Sequence, residues 1–341
     1  MSADDLDPIA PEAALDLYLE QRRGELSDAT HRSHSSRLEW FVQWCQTEDI
    51  TNLNPITGRD LHAYRVWRRE QNDIKPVTLK TQLSTLRVFL DFCESIDAVP
   101  DDLKQKVLLP EVTRAAEKSD STLEYERAKR ILDHLHKYEY ASRDHLIFSL
   151  LWRTGMRQGS LRALDLGDYD REDLALEVRH RPETGTPLKN QERGERDVAL
   201  DTSLQQLLDN YIDGRRPNKT DDTGRAPLLA TDQGRPHRST IRSALYRYTR
   251  PCFIGLDCPH DRNEADCEAT RAEYASRCPS ARSPHDVRSG AITAHLLEDV
   301  PVEIVSERMD VSQKTLDKHY DRRSKREKME QRREFLRRSS R

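Results

Sequence analysis

Apolar residues recur at helical spacing through the first third of the chain. Between residues 11 and 108, leucines and aromatic residues fall three or four positions apart in four separate runs, which is the spacing of one face of an α-helix. The runs are marked by Leu15 and Leu19, then Leu38 and Phe41, then Leu61 and Tyr64, and finally Leu79, Leu83, Leu86 and Leu90. Ser27, a residue type that caps helices, precedes the second run. The pattern predicts an all-helical module with Trp44, Trp67 and Phe89 in its core.

A polar stretch follows this module and predicts a domain boundary. The segment has few large apolar side chains, which is typical of a linker rather than of a packed element. We therefore predict a helical domain over residues 8–113, a linker over 114–122 and a second domain over 123–341. A chain of 341 residues is long enough for two domains of ordinary size.

The second domain mixes helices with short strands. Its most apolar segment, residues 146–152, leads to Gly155, a residue type that ends helices. Residues 174–180 and 196–200 alternate apolar and polar side chains as strands do, and a connection rich in Gly, Pro and Lys joins them. Two strands joined in this way predict a small antiparallel sheet. The expected fold is mainly α, with that sheet in the second domain.

Composition excludes a membrane protein. Hydrophobic residues make up 35% of the chain and charged residues 34%, and the mean hydropathy is -0.88. The acidic N-terminus lacks the order of a secretory signal, so we expect a cytoplasmic protein. The net charge is -4, and the 56 cations comprise 43 Arg and 13 Lys. A Lys-poor, acidic composition suits a salt-rich cytosol.

Candidate chemistry lies in four short stretches of the second domain. They contain, in order, Arg157, Lys189, a His285-x-x-Arg288 box and Tyr320. Arginine guanidinium groups bind phosphates through two parallel hydrogen bonds, and a tyrosine hydroxyl can serve as a nucleophile. Each residue on its own is a weak signal, because most Arg and Lys side chains are merely solvated. The order of all five residues along the chain is a stronger signal.

With these motifs in this order, the sequence resembles the tyrosine recombinases of the phage-integrase family. The resemblance is to Xer-like site-specific recombinases and, among them, to the integrases of halophilic archaea. It covers most of the chain. It implies a SAM-like helical core-binding domain at the N-terminus and an α+β catalytic domain at the C-terminus. It also implies catalytic roles for Arg157, Lys189, His285, Arg288 and Tyr320.

The resemblance implies cleavage and rejoining of double-stranded DNA by a homotetramer on synapsed sites. Attack by Tyr320 would leave a 3′-phosphotyrosyl intermediate, with Lys189 as the acid for the departing oxygen. Two arginines would neutralise the charge of the transition state, so neither ATP nor a metal ion is required. The basic segment over residues 321–341 has ten Lys and Arg against four Asp and Glu. We expect this tail to dock on a neighbouring protomer.

Two positions depart from the family pattern. Ser160 stands where many members have Glu, and Val311 stands where a second His or Trp usually precedes the tyrosine. Valine donates no hydrogen bond, and a transition-state hydrogen bond is worth roughly 3–4 kcal/mol. A catalytically impaired DNA-binding protein on the same fold is therefore the alternative. A type IB topoisomerase, which shares the chemistry, is a further one.

A cysteine-rich insertion lies between the predicted sheet and the His-x-x-Arg box. Over residues 252–278 it contains four of the six cysteines, namely Cys252, Cys258, Cys267 and Cys278. Four thiolates could form a structural zinc site, with His260 as an alternative ligand in place of Cys252. The other interpretation is a set of free thiols. A site closed by four Cys leaves no position for a catalytic water, which argues against a zinc hydrolase.

Overall fold

The structure, a computed structural model, describes residues 6–113 and 121–320, together with residues 326, 329, 330 and 333. Contacts divide the chain into two units, residues 1–119 and 120–341. Most of the predicted linker, and most of the predicted basic tail over 321–341, lie outside the described residues.

The first unit contains the predicted helical module. Its helices are α1 (Pro11–Arg22), α2 (Asp28–Thr47), α3 (Gly58–Glu70) and α4 (Pro76–Ser95), followed by a 3₁₀ turn over Leu103–Lys106. Ser27 caps α2 by accepting a hydrogen bond from the backbone N–H of Thr30. Trp44 and Phe89 are buried and Trp67 packs against the same core, so the predicted core positions are confirmed.

The sheet of the second unit has three antiparallel strands in the order β1-β2-β3. They are β1 (Tyr169–Asp170), β2 (Ala175–Val178) and β3 (Arg196–Ala199). Leu176 of β2 lies opposite Val198 of β3, and both side chains are buried beneath the sheet. The predicted fold class, mainly α with a small antiparallel sheet, is confirmed.

Helices of the second unit form a separate core together with this sheet. They are α5 (Tyr125–Tyr138), α6 (Arg143–Thr154), α7 (Gln158–Ala163), α8 (Thr202–Asn210), α9 (Arg238–Tyr248), α10 (Pro284–Leu297), α11 (Val302–Met309) and α12 (Gln313–Thr315). The apolar helix α6 is the centre of the core. At Gly290, helix α10 passes close to the segment before α5 and to α6, because a Cβ atom there would lie 2.0 Å from the carbonyl oxygen of Leu123 and 3.0 Å from the ring of Trp152. Across the described ranges, no helix has the length and apolarity that crossing a membrane requires.

Candidate active site

Arg157 is positioned by the turn that ends α6. Gly155 closes this helix in the left-handed conformation, with a φ of 58°, and a Cβ atom there would collide with the side chain of Met309. Two residues later Arg157 occupies the N-cap of α7 with extended backbone. Its guanidinium forms an ion pair with the carboxylate of Asp310, and its side chain is 25% exposed. The turn therefore presents a charged fork at the protein surface.

His285 and Arg288 lie on the first turns of α10, three residues apart and so on one helix face. Ser283 caps this helix together with Asp286, whose carboxylate accepts a hydrogen bond of 2.8 Å from the Ser283 N–H. Arg288 is 4% exposed. It donates hydrogen bonds to the carbonyl oxygens of Gly155 at 2.5 Å and of Asp310 at 3.3 Å. Arg288 thereby joins α10 to the turn before Arg157.

Burial lowers the pKa of the Arg288 guanidinium. This pKa is lowered to about 10, chiefly by desolvation and then by the nearby cations Arg157 and Arg196. Tyr320 and Asp310 act in the opposite direction. Arg288 is still protonated at neutral pH, and Tyr320 lies within its electrostatic range.

Asp310 is the junction of the site and was missed by the sequence reasoning. It ends α11 in the left-handed conformation, with a φ of 50°, which aspartate tolerates better than most residues. Its carboxylate accepts hydrogen bonds from Arg157 and, at 2.7 Å, from the side-chain amide of Asn190. Its backbone carbonyl accepts the bond from Arg288. Three separate segments thus meet at one aspartate.

Lys189 lies in the predicted connection between β2 and β3, in an exposed turn. It lines an open groove of about 900 Å³, together with Asn190, Arg196, Asp310 and Val311. Lys189 also acts on His285. Partial burial lowers the pKa of the His285 imidazole; the cations Arg288, Lys189 and Arg157 add to the lowering, whereas Asp286 opposes it. His285 is therefore neutral at pH 7.

Tyr320 ends a π-type turn over Leu316–Tyr320 that follows α12. It is 8% exposed and packs in a small apolar cluster with Val311 and Met309. Val311 is 7% exposed, and its backbone is held by Ser306 through hydrogen bonds of 3.0 and 2.7 Å. Val311 thus supports the turn that leads to the tyrosine. Ser160, the other departure from the family pattern, is buried on α7.

Arg196 is a second residue that sequence reasoning missed. As the first residue of β3, it donates hydrogen bonds of 2.8 Å to the carbonyl oxygens of Arg308 and Gly194. Burial lowers the pKa of its guanidinium, Asp310 opposes this, and Arg157 lowers it further. Three guanidinium groups therefore lie within electrostatic range of one carboxylate, and Lys189 lines the same groove. This excess of positive charge suits an anion such as a phosphodiester.

We expect Asp310→Asn to destabilise the DNA-free protein, because Arg157 loses its ion pair while three guanidinium groups stay close together. The side chains are partly solvated, so the free energy of unfolding should fall by roughly 1–3 kcal/mol. Urea unfolding monitors the loss, and added phosphate should restore more stability to the variant than to the wild type. Asp299→Asn is the matched control, since Asp299 has a similar left-handed conformation at an exposed position. Equal stability of the two variants would contradict the expectation.

Comparison with protein families gives two matches. The model described as Phage integrase family matches residues 121–327. The model described as Phage integrase, N-terminal SAM-like domain matches residues 15–95. No curated protein sequence matches the chain.

Several solved structures are similar to the chain. A lambda integrase dimer bound to a COC′ core site has a TM-score of 0.64 and 14% identity, and the match covers 94% of this chain and 79% of that one. The Tn1549 transposon integrase in complex with transposon right end DNA has a TM-score of 0.63 and 14% identity, covering 96% and 99%. The N-terminal domain of a phage integrase/site-specific recombinase from Haloarcula marismortui is 36% identical, with a TM-score of 0.30, covering 30% and 99%. At identities of 14% the similarity concerns the fold.

Proposed function

Because the chain belongs to the phage integrase family of tyrosine recombinases, we propose that it is a site-specific DNA recombinase that acts through a 3′-phosphotyrosyl intermediate. One observation carries this proposal. Arg157, Lys189 and Arg288 all lie within electrostatic range of His285, and Arg157 and Tyr320 lie within electrostatic range of Arg288. Double-stranded DNA is the proposed substrate, a homotetramer the proposed assembly and the cytoplasm the proposed location.

The arginines bind the scissile phosphate in this mechanism. Arg157 exchanges its ion pair with Asp310 for a pair with a phosphate oxygen, and Arg288, fixed by two backbone carbonyls, presents its charge without reorganisation. Fixed charges stabilise a transition state because they need not be oriented when the reaction occurs. The Asp310 carboxylate holds Arg157 in place until DNA arrives.

Bond exchange then proceeds at phosphorus. The Tyr320 oxygen forms a bond to phosphorus while the bond to the 5′ oxygen breaks. His285, neutral at pH 7, accepts the tyrosine proton, and Lys189 protonates the departing 5′ oxygen. The phosphotyrosyl bond conserves the energy of the broken phosphodiester, so a second 5′-hydroxyl can reverse the step on another strand without ATP or a metal ion.

Covalent capture tests the proposal. The protein is incubated with a library of duplexes that carry a random core and a nick, and the reaction is stopped with detergent. We expect DNA of a defined sequence to stay attached to the protein. When the original 5′ ends of the duplexes are phosphorylated, the departing strand should gain a new 5′-hydroxyl that accepts label from polynucleotide kinase without phosphatase treatment. The attached strand should resist polymerase extension at its 3′ end. Attachment through the 5′ end would overturn the mechanism.

The second candidate is a DNA-binding protein that retains the fold and has lost the reaction. Val311, which offers no hydrogen-bond donor, and the buried Ser160 favour it. This candidate gains support if the protein shifts a duplex in a native gel but forms no covalent product with any nicked duplex. A type IB topoisomerase would instead relax supercoiled DNA without synapsis.

The pH dependence of cleavage follows from His285. Because partial burial lowers its pKa below the ordinary 6.5, the imidazole gains its proton only as the pH falls below that value. A neutral base is then lost, so the single-turnover cleavage rate should fall with decreasing pH in that range and stay level between pH 7 and 8. His285→Gln should remove the acid limb. An acid limb that persists unchanged in this variant would contradict the role of His285.

A further inference from the structure

The cysteine-rich insertion has almost no apolar core of its own. It joins α9 to α10 through three short 3₁₀ turns, Cys252–Ile254, Glu268–Thr270 and Ala272–Arg277. Between residues 255 and 279, Ala269 and Ala275 are the only buried apolar side chains. Residues 261–266 are all exposed. A segment of this length that buries two alanine side chains needs another source of stability, such as a cross-link or a metal ion.

Its four cysteines surround one small cavity. The cavity has a volume of about 20 Å³, enough for a single water-sized particle. Its lining includes Cys252, Cys258, Cys267 and Cys278, together with His260. All four are free cysteines. Four cysteine side chains lining a space for one ion offer the ligand types of structural zinc sites.

A buried arginine at the same cavity gives an independent indication. Arg250 lines the cavity and is 4% exposed. One of its terminal nitrogens donates to the carbonyl oxygen of Ala269, whereas its buried Nε has no hydrogen-bond partner among the described residues. A buried cation with an unsatisfied donor is costly unless an anion lies nearby. Glu264 also lines the cavity but is exposed, so a cluster of thiolates would supply the buried anion.

We propose that Cys252, Cys258, Cys267 and Cys278 bind one zinc ion as four thiolates. Each thiol releases its proton to solvent as the metal binds, and the –2 charge of the resulting centre is partly balanced by Arg250 and Arg262, which both line the cavity. In the described ranges, no three His, Cys, Asp or Glu side chains are yet arranged around a common point. Binding therefore includes rotation of the cysteine side chains into the cavity.

His260 stays outside the ligand set. Its Nε2 lies 2.8 Å from the hydroxyl oxygen of Ser280, which orients the ring through that hydrogen bond. Four thiolates already complete a tetrahedral zinc site, which leaves no position for the imidazole. His260 is thus a neighbour of the centre.

The proposed centre lies next to the segment that begins α10. Arg127 donates hydrogen bonds to the carbonyl oxygens of Thr249 and Ser280, on both sides of the insertion. Arg282 donates to the carbonyl oxygens of Pro279 and Thr122. Zinc would therefore stabilise an insertion that is anchored at both ends. The second anchor, Ser280, lies three residues before the cap at Ser283. Its role is structural.

Metal content of the full-length protein tests the proposal. Wild type, purified under reducing conditions and measured by native mass spectrometry, should hold one zinc per chain. Cys258→Ser and Cys267→Ser should lose it. The matched controls Cys45→Ala and Cys93→Ala remove the two buried thiols of the other unit and should keep it. His260→Ala should also keep it.

Thiol alkylation of the wild type provides a second measurement that needs no variant. The four insertion thiols should be protected until a chelator removes the metal, whereas Cys45 and Cys93 stay unreactive in both states because they are buried. Four reactive thiols before chelation, or disulfides within the insertion, would overturn the proposal. Loss of zinc in His260→Ala but not in Cys252→Ser would overturn the four-thiolate set.

Discussion

Tyr320→Phe should abolish covalent attachment of the protein to DNA. The variant lacks the oxygen that forms the bond to phosphorus, and removing a nucleophile costs roughly 10⁴–10⁶-fold in rate. The ring itself is 8% exposed and packs in the apolar cluster beside Val311. Phenylalanine fills the same space, so the fold and the binding of DNA should be retained.

Covalent complexes on a nicked duplex, separated in a denaturing gel, measure this effect. Tyr138→Phe is the matched control, because this tyrosine is 63% exposed on α5 and lies outside the site. We expect wild type and Tyr138→Phe to form the complex at equal rates. If Tyr320→Phe still forms it with the same polarity, another residue is the nucleophile and the proposed mechanism is wrong.

The fold could be predicted from the sequence because its signals are local. Helical spacing of leucines and aromatic residues located α1 to α4, and a cap residue such as Ser27 marks where α2 begins. Alternation located β2 and β3. The two-residue strand β1 was missed, since two residues are too few to show an alternating pattern. Its pairing with β2 depends on a turn whose geometry the sequence does not state.

The candidate active site could be predicted from the sequence only in part. Motif order identified the five candidate residues, whereas each of them on its own is a weak signal. Asp310 and Arg196 were missed because their positions matter only when α11 ends beside β3 and the turn after α6. Sequence reasoning considered the neighbouring Val311 only as a missing donor, whereas the structure shows it as part of the packing around Tyr320.

Asp310 also explains how three guanidinium groups can lie close together in the DNA-free protein. A set of three guanidinium groups without an anion would repel one another in the DNA-free protein, and the carboxylate lowers that cost. The same carboxylate competes with the phosphate for Arg157. The carboxylate therefore preorganises the site for an anion, but the phosphate must displace it from Arg157. The geometry of the Arg157 guanidinium determines how strongly the phosphate is bound in its place.

Arg157→Lys should slow DNA cleavage by about 10²–10³-fold, the usual cost of removing one transition-state donor. Lysine retains the positive charge but offers a single ammonium in place of a planar fork, so it cannot bind two phosphate oxygens in parallel. Because the charge is kept and the side chain is 25% exposed, we expect the free energy of unfolding to change little. Single-turnover cleavage of a nicked duplex carrying the captured site measures the rate.

Arg153→Lys separates this effect from a general loss of arginine. Arg153 lies on α6, 38% exposed, and its guanidinium binds Asp201 at 2.9 Å, away from the groove. Its replacement should alter cleavage by no more than a few-fold, since surface ion pairs contribute little. The apparent affinity for duplex DNA should be similar in both variants, because each keeps its charge. If Arg157→Lys instead weakens binding and leaves the cleavage rate at saturating DNA unchanged, Arg157 acts on the ground state and the transition-state role proposed for it is wrong.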